Sequence, residues 1–262
     1  MRITPLASGS KGNSLLLCSR DQRILVDIGL PLEDIEARLA QSDATPASIT
    51  AICMTHRHRD HYRGIADFST QYRTPIYGMR RTLRSLCNKL TKRQHIISTS
   101  EPFAIGHVVG HAVALKHDAP ETIGFSFDDG TSRFGLATDL GSTDGEVREV
   151  FTDLDALLLE FNYDDEMLSR SDDPPHLRER IASDTGHLSN LQAAALLSSL
   201  DRNRLRHVWI GHVSARNNRP ELAIAAAKEA LGADYRGTVQ IAEQDAVSQC
   251  FEVARPDCKG LA

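Results

Sequence analysis

At 262 residues, with 41% hydrophobic and 25% charged side chains, the chain can bury a full core without borrowing stability from disulfides. A formal charge of −5 gives no global pull toward polyanions, so nucleic-acid binding has to come from local patches. Five cysteines without a C-x-x-C pair argue against a disulfide framework, the start MRITPLASGSKGNS lacks the apolar core of a signal peptide, and no run is apolar enough for a membrane span; a reducing cytoplasm fits best.

In chain order, Ile3 to Leu6, Ser14 to Cys18, Arg23 to Asp27 and Ile49 to Met54 are apolar or alternating runs broken by turn signals, and they predict strands. GSKGNS (9 to 14) lacks phosphate-loop spacing and runs into the strand-like SLLLC, so it predicts a hairpin turn that could border a site. Apolar residues three and four apart predict helices over 32 to 40, 80 to 90, 189 to 200 and 221 to 231. With no internal repeat, low-complexity segment or flexible linker, residues 1 to 262 read as one α/β domain of sheets covered by helices.

THRHRDH (55 to 61) leaves the C-terminal end of the buried strand AICM, a usual place for chemistry in layered folds. His56 and His58, two apart, can chelate one ion, while Asp60 and His61 turn the corner to reach a second. Imidazole with carboxylate suits Zn, Mn or Fe rather than Ca. A lone histidine is more often a solvated or structural group, but three further candidates stand at strand ends: His117 after HAVALK, Asp139 in FGLATDLG and His212 in HVWIGHVS. A carboxylate has two oxygens, so Asp139 can bridge two ions.

The set DIG (27 to 29), THRHRDH, His117, ATD (137 to 139) and GHVS (211 to 214) resembles the five ordered motifs of the metallo-β-lactamase fold, over residues 1 to about 220. The resemblance implies a four-layer αββα sandwich with its site at one edge of the two sheets. It assigns His56, His58 and His117 to a first divalent ion and Asp60, His61 and His212 to a second. Asp139 would bridge them, and Asp27 would orient a ligand histidine. The β-lactamases themselves usually carry cysteine where Asp139 stands, which disfavours antibiotic hydrolysis.

LLLEFNYDDEML, GHLSNLQAAALL and HVWIGHVSARNN resemble the phosphodiesterase branch, in which a histidine matching His187 sits near the leaving group. Together with SGSKGNS and HDAPETIGFSF they look closer still to the YycJ/WalJ-like proteins, regarded as exonucleases. Only 48 positions part Asp139 from His187, too few for the inserted domain of RNA-degrading relatives. His187 could instead merely lead into the helix after it, and Glu160, ending DALLLE, could be a second orienting group or a plain ion-pair partner. His111, at the start of the same strand, rivals His117 but fits the family order less well.

Arg80, Arg81, Arg84, Lys89, Lys92 and Arg93 form a basic run without an acid, and Arg57, Arg59, Arg63 and Lys116 add charge near the metal loop. The expectation is therefore a dinuclear metal-dependent phosphodiesterase, a 5′-to-3′ exonuclease acting on DNA rather than RNA. Asp60 would orient the attacking water and His187 would act as acid. The alternative is a small-molecule hydrolase, acting on a cyclic phosphodiester, thioester or lactone with the same ligands.

Overall fold

The computed structural model describes residues 1 to 253 apart from 85, 87 and 144. The N-terminal strands are β1 (Arg2–Ala7), β2 (Ser14–Ser19), β3 (Gln22–Val26), β4 (Ala51–Cys53), β5 (Ile76–Gly78) and β6 (Gln94–Ile96). They are followed by β7 (Phe103–Ile105), β8 (Val108–Ala114), β9 (Ile123–Asp128), β10 (Arg133–Ala137), β11 (Ala156–Glu160), β12 (His207–Gly211), β13 (Thr238–Ile241) and β14 (Phe251–Glu252). One sheet has the order β14-β1-β2-β3-β4-β5-β6 and the other β13-β12-β11-β10-β9-β8-β7. Each is mixed: β1 to β3 and β7 to β10 pair antiparallel, while β3 to β6 and β10 to β13 pair parallel.

The helices are α1 (Leu32–Leu39), α2 (Arg59–Tyr62), α3 (Ile65–Tyr72), α4 (Arg80–Leu83), α5 (Gly145–Val150), α6 (Asp165–Ser169), α7 (Pro175–Ile181), α8 (Asn190–Ser199) and α9 (Pro220–Leu231). Three apolar clusters mark three interfaces. Leu15, Leu17, Ile24 and Val26 meet Phe125, Phe127, Phe134 and Trp209 between the sheets. Leu16, Leu25 and Ile52 pack outward against Ile35 and Leu39 of α1 and Ile65 and Phe68 of α3. Leu157, Leu159, Val208 and Ile210 pack outward against Val147 of α5, Leu196 and Leu197 of α8 and Ala223 and Ala227 of α9. Strands such as SLLLC and ALLLE are continuous apolar runs because both of their faces are covered. Three interfaces make four layers, the expected αββα sandwich.

The expected strand over 49 to 54 narrows to β4. The expected helix over 80 to 90 is corrected: α4 stops at Leu83, residues 85 and 87 lie outside the described set, and a 3₁₀ turn covers Asn88–Arg93. An 11-residue helix would carry the chain about 16 Å. Yet β6 must begin at Gln94 beside β5, so the crossover has to double back. The buried Leu83, Leu86 and Leu90 that produced the helical spacing serve this compact turn instead. No helix among the described residues is long and apolar enough to cross a membrane, and Cys18, Cys53 and Cys250 are free thiols.

Candidate metal centre

The parallel strands end together, and the functional side chains leave their C-terminal ends. Asp27 follows β3, His56 to His61 follow β4, Asp139 follows β10, Glu160 closes β11 and His212 follows β12. Asp27, Asp139 and His212 adopt left-handed backbone, with φ of 58°, 62° and 52°. For a non-glycine residue this costs about 1–2 kcal/mol, and such strain concentrates at functional sites. The DIG glycine has a separate reason: a Cβ at Gly29 would collide with the Asp60 carbonyl, so Gly29 lets β3's exit lie against the metal loop.

The structure brings together all seven residues expected to bind metal. Donor atoms of His56, His58 and His117 lie within 4.8 Å of one another, and so do those of Asp60, His61 and His212. Asp139 reaches both groups: Oδ1 is 3.8 Å from His117 Nε2 and 3.6 Å from His212 Nε2, and Oδ2 is 3.1 Å from His61 Nε2. His111 stays within β8 and joins none of these groups. His187 packs between His117 and His212, with ring centroids 5.3 and 5.2 Å away, and its Nδ1 is 2.7 Å from Glu160 Oε1.

Orienting partners fix which nitrogen of each ring carries a lone pair. Thr55 Oγ1 donates to Asp27 Oδ2 (2.6 Å) and so accepts from His56 Nδ1 (3.0 Å), leaving Nε2 bare. His117 Nδ1 donates to the Gly186 carbonyl (3.0 Å), leaving Nε2; that atom is 3.2 Å from His58 Nδ1. His61 Nδ1 donates to Asp27 Oδ2 (2.7 Å) and His212 Nδ1 to Glu160 Oε1 (3.1 Å). His56 Nε2, His212 Nε2 and Asp139 Oδ2 are buried without a hydrogen-bond partner. Converging, unsatisfied imidazole and carboxylate donors are what a borderline transition-metal ion requires and what a self-contained hydrogen-bond network avoids. The residues therefore fit a divalent metal.

The electrostatics agree. Burial opposes the charged forms of Asp139, Asp60 and Glu160, yet neighbouring histidines outweigh it and hold all three carboxyls below the usual range, Asp139 well below. Burial would lower His61 and His212, but Asp139 with Asp27 pushes His61 up to about 10, and Asp139, Asp60 and Glu160 push His212 well above its ordinary value. Asn13 Nδ2 lies 2.9 Å from His61 Nε2 while Gly9 N holds its Oδ1, so Asn13 offers an N–H to that nitrogen and works against the extra proton. Burial and neighbouring histidines lower His56 strongly and His58 less, so both favour the neutral, ligating form. Burial pushes the Asp27 carboxyl up against the pull of His61 and Thr55. A divalent cation would take over the charge balance now kept by the extra protons.

Sequence reasoning left Asn13, Thr55, Asn162 and Asp118 without roles. GSKGNS is the expected turn between β1 and β2, and it also borders the site through Asn13, which is buried and ties Gly9 to the Asp60–His61 corner. Asn162 Nδ2 donates to the His212 carbonyl (2.9 Å). The signals were available as neighbours in sequence: Thr55 precedes His56, Asp118 follows His117, and Asn162 lies two after Glu160.

A histidine and aspartate cluster at the shared edge of two mixed sheets in an αββα sandwich defines a metal-dependent hydrolase of the metallo-β-lactamase fold. The beta-lactamase superfamily domain matches residues 22–209. The chain belongs to that superfamily and, within it, to the YycJ/WalJ family. It is 31% identical over 246 residues to the exodeoxyribonuclease WalJ of Streptococcus pneumoniae, covering 88% of this chain and 91% of that protein. It is 28% identical over 235 residues to the exodeoxyribonuclease YycJ of Bacillus anthracis, covering 88% and 89%. The fold is shared with the metallo-β-lactamase fold protein YhfI of Bacillus subtilis, at a TM-score of 0.72 and 16% identity over 94% of this chain and 98% of that one.

Proposed function

We propose that the protein is a dinuclear phosphodiesterase, a 5′-to-3′ exonuclease that removes nucleotides from DNA. The observation that carries this reading is Glu160 Oε1, shared by His212 Nδ1 (3.1 Å) and His187 Nδ1 (2.7 Å). One buried carboxylate thereby fixes both a metal ligand and a further histidine beside the cluster.

His56, His58 and His117 would hold one Zn, Mn or Fe ion, Asp60, His61 and His212 a second, and Asp139 would serve both. Such a pair, when bound, supplies Lewis acidity at a phosphoryl oxygen and lowers the pKa of water. His187 gives its Nδ1–H to Glu160, so Nε2 is the nitrogen that would take up a second proton, with Glu160 balancing the imidazolium charge, and pass it to the departing oxygen. Asp60, a quarter exposed and facing His61 and His212 at 3.7 Å, would orient the attacking water.

Substrate class rests on charge and on the relatives' names. Arg57, Arg59, Lys116, Arg80, Arg81 and Arg84 are exposed, and among the described residues none of them forms an ion pair. Arg81 N donates to Glu121 Oε2 (2.6 Å), which ties the basic segment to the loop that carries His117. Lys92 is also exposed, whereas Arg93 is spent on the Ser69 carbonyl (2.9 Å). The test is one metal-loaded preparation offered end-labelled DNA, RNA, a cyclic nucleotide ester and a thioester. Stepwise loss of nucleotides from the 5′ end of DNA is expected to be fastest. Far faster turnover of either small ester would replace the exonuclease by a small-molecule hydrolase.

A further inference from the structure

Four of the five histidines in the two ligand groups are oriented by partners that are themselves buried: Thr55, Asp27, Glu160 and the Gly186 carbonyl. His58 is the exception. Its side chain is 33% exposed, and its Nε2 lies 3.2 Å from Oδ1 of Asp118, a carboxylate 28% exposed. The same oxygen is 3.4 Å from His117 Nε2. Oδ2 of Asp118 accepts from Arg180 Nε (2.6 Å) and pairs with Arg180 Nη2 (2.5 Å). Arg180 is the penultimate residue of α7, and α7's last residue, Ile181, accepts the His187 backbone N–H through its carbonyl (2.9 Å).

A neutral imidazole carries one N–H and one lone pair, so a carboxylate at Nε2 puts the proton there and the lone pair on Nδ1. On His58, Nδ1 is the nitrogen turned toward His117 Nε2, 3.2 Å away. With His117 Nδ1–H given to Gly186, two lone pairs face each other without a proton between them, an arrangement that only a cation relieves. Asp118 alone could rotate about its side-chain bonds. Two guanidinium N–H groups converge on Oδ2 and anchor that oxygen, which leaves Oδ1 directed at His58.

Resting on the dinuclear reading of the site, we infer that Asp118 and Arg180 are positioning residues for the first cation. Asp118 sets the tautomer and ring direction of His58, and Arg180 holds Asp118 in place from α7. The first ion's grip is thus linked to the segment that also carries His187, and this link runs along the solvent-facing side of the centre.

The experiment is a competitive chelator titration with Zn(II) on full-length wild type, Asp118→Ala, Asp118→Asn and Arg180→Ala, with Co(II) ligand-field spectra of the same four proteins. Asp118→Ala should weaken one of the two dissociation constants by about 10–100-fold, leave the other in place, and shift the spectrum of one ion only. Asp118→Asn keeps an acceptor for His58 Nε2 but turns an NH₂ toward the Arg180 donors, so it and Arg180→Ala should both fall between wild type and Asp118→Ala. Unchanged constants in Asp118→Ala, or Asp118→Asn as damaging as Asp118→Ala, overturns the inference. If Asp118→Ala does not fold, Arg180→Ala decides, because Arg180 is 53% exposed and unchanged binding there breaks the link. Wild type that holds no cation overturns both this role and the dinuclear reading, whereas loaded wild type with unaffected variants overturns the role alone.

Discussion

Glu160→Gln changes one buried group at a point where three donors converge. Oε1 receives His187 Nδ1 and His212 Nδ1, and Oε2 receives Leu140 N at 3.0 Å. A carboxamide has one accepting end. Turned to keep both histidines, it points an NH₂ at the Leu140 N–H; turned to keep Leu140, it strands both histidines. The milder choice still orphans a donor beside a fully buried side chain, about 1–3 kcal/mol, and reduces two charge-assisted bonds to neutral ones at about 1 kcal/mol each. The expected loss is about 3–5 kcal/mol. At roughly 2–4 °C per kcal/mol for a chain of this size, the chelator-treated variant should melt on the order of 10 °C below wild type. His187→Ala is the control: it removes one donor from Glu160, should keep the metal, and should cut turnover by about 10²–10⁴-fold. Glu160→Gln melting within about 2 °C of wild type would show that the carboxylate does not anchor the site, and the reasoning fails.

Asp139→Ala should lower the metal content at both positions, because its oxygens face both groups; elemental analysis showing one full site and one empty would refute sharing. Replacing Arg80, Arg81 and Arg84 by alanine should flatten the salt dependence of DNA binding by up to about one unit of log–log slope per lost phosphate contact, and an unchanged slope clears them of that role. Asp129 tests acid stability. Burial opposes its charge, but the Ser19 and Thr131 hydroxyls and the Ser132 and Thr131 amides hold its carboxyl far below the usual range. A depressed folded value means its stabilisation is present above the unfolded value of about 3.9 and is lost as pH falls through the folded value. The melting-temperature gap between wild type and Asp129→Ala should therefore be widest near neutrality and close in strong acid; a gap independent of pH contradicts this.

The site was more legible than its supports. THRHRDH, Asp139 and His212 stood out because ligand chemistry restricts residue type and strand ends restrict place. Asn13 and Asp118 did not, because an amide or a surface carboxylate has many ordinary uses and only the folded register shows what it faces. Sheets buried on both faces announced themselves in SLLLC and ALLLE. Residues 80 to 90 misled for the converse reason: Leu83, Leu86 and Leu90 repeat at three and four in a compact turn as they would in a helix, and the constraint that decided between them was the place of β6, set by its pairing with β5.

The two sheets follow each other along the chain almost without exchange: β1 to β6 end at Ile96, β7 to β13 begin at Phe103, and only β14 returns. Yet neither ligand group belongs to one half. His56 and His58 need His117, and Asp60 and His61 need His212. Nicking the chain in the exposed Thr99 to Glu101 stretch would give two fragments, each carrying an incomplete set of either donor group. Divalent metal held by donors from both fragments would favour their reassembly through mass action. The molecule is in this sense built for splitting into a metal-gated reporter, in which reassociation is read out as restored hydrolysis.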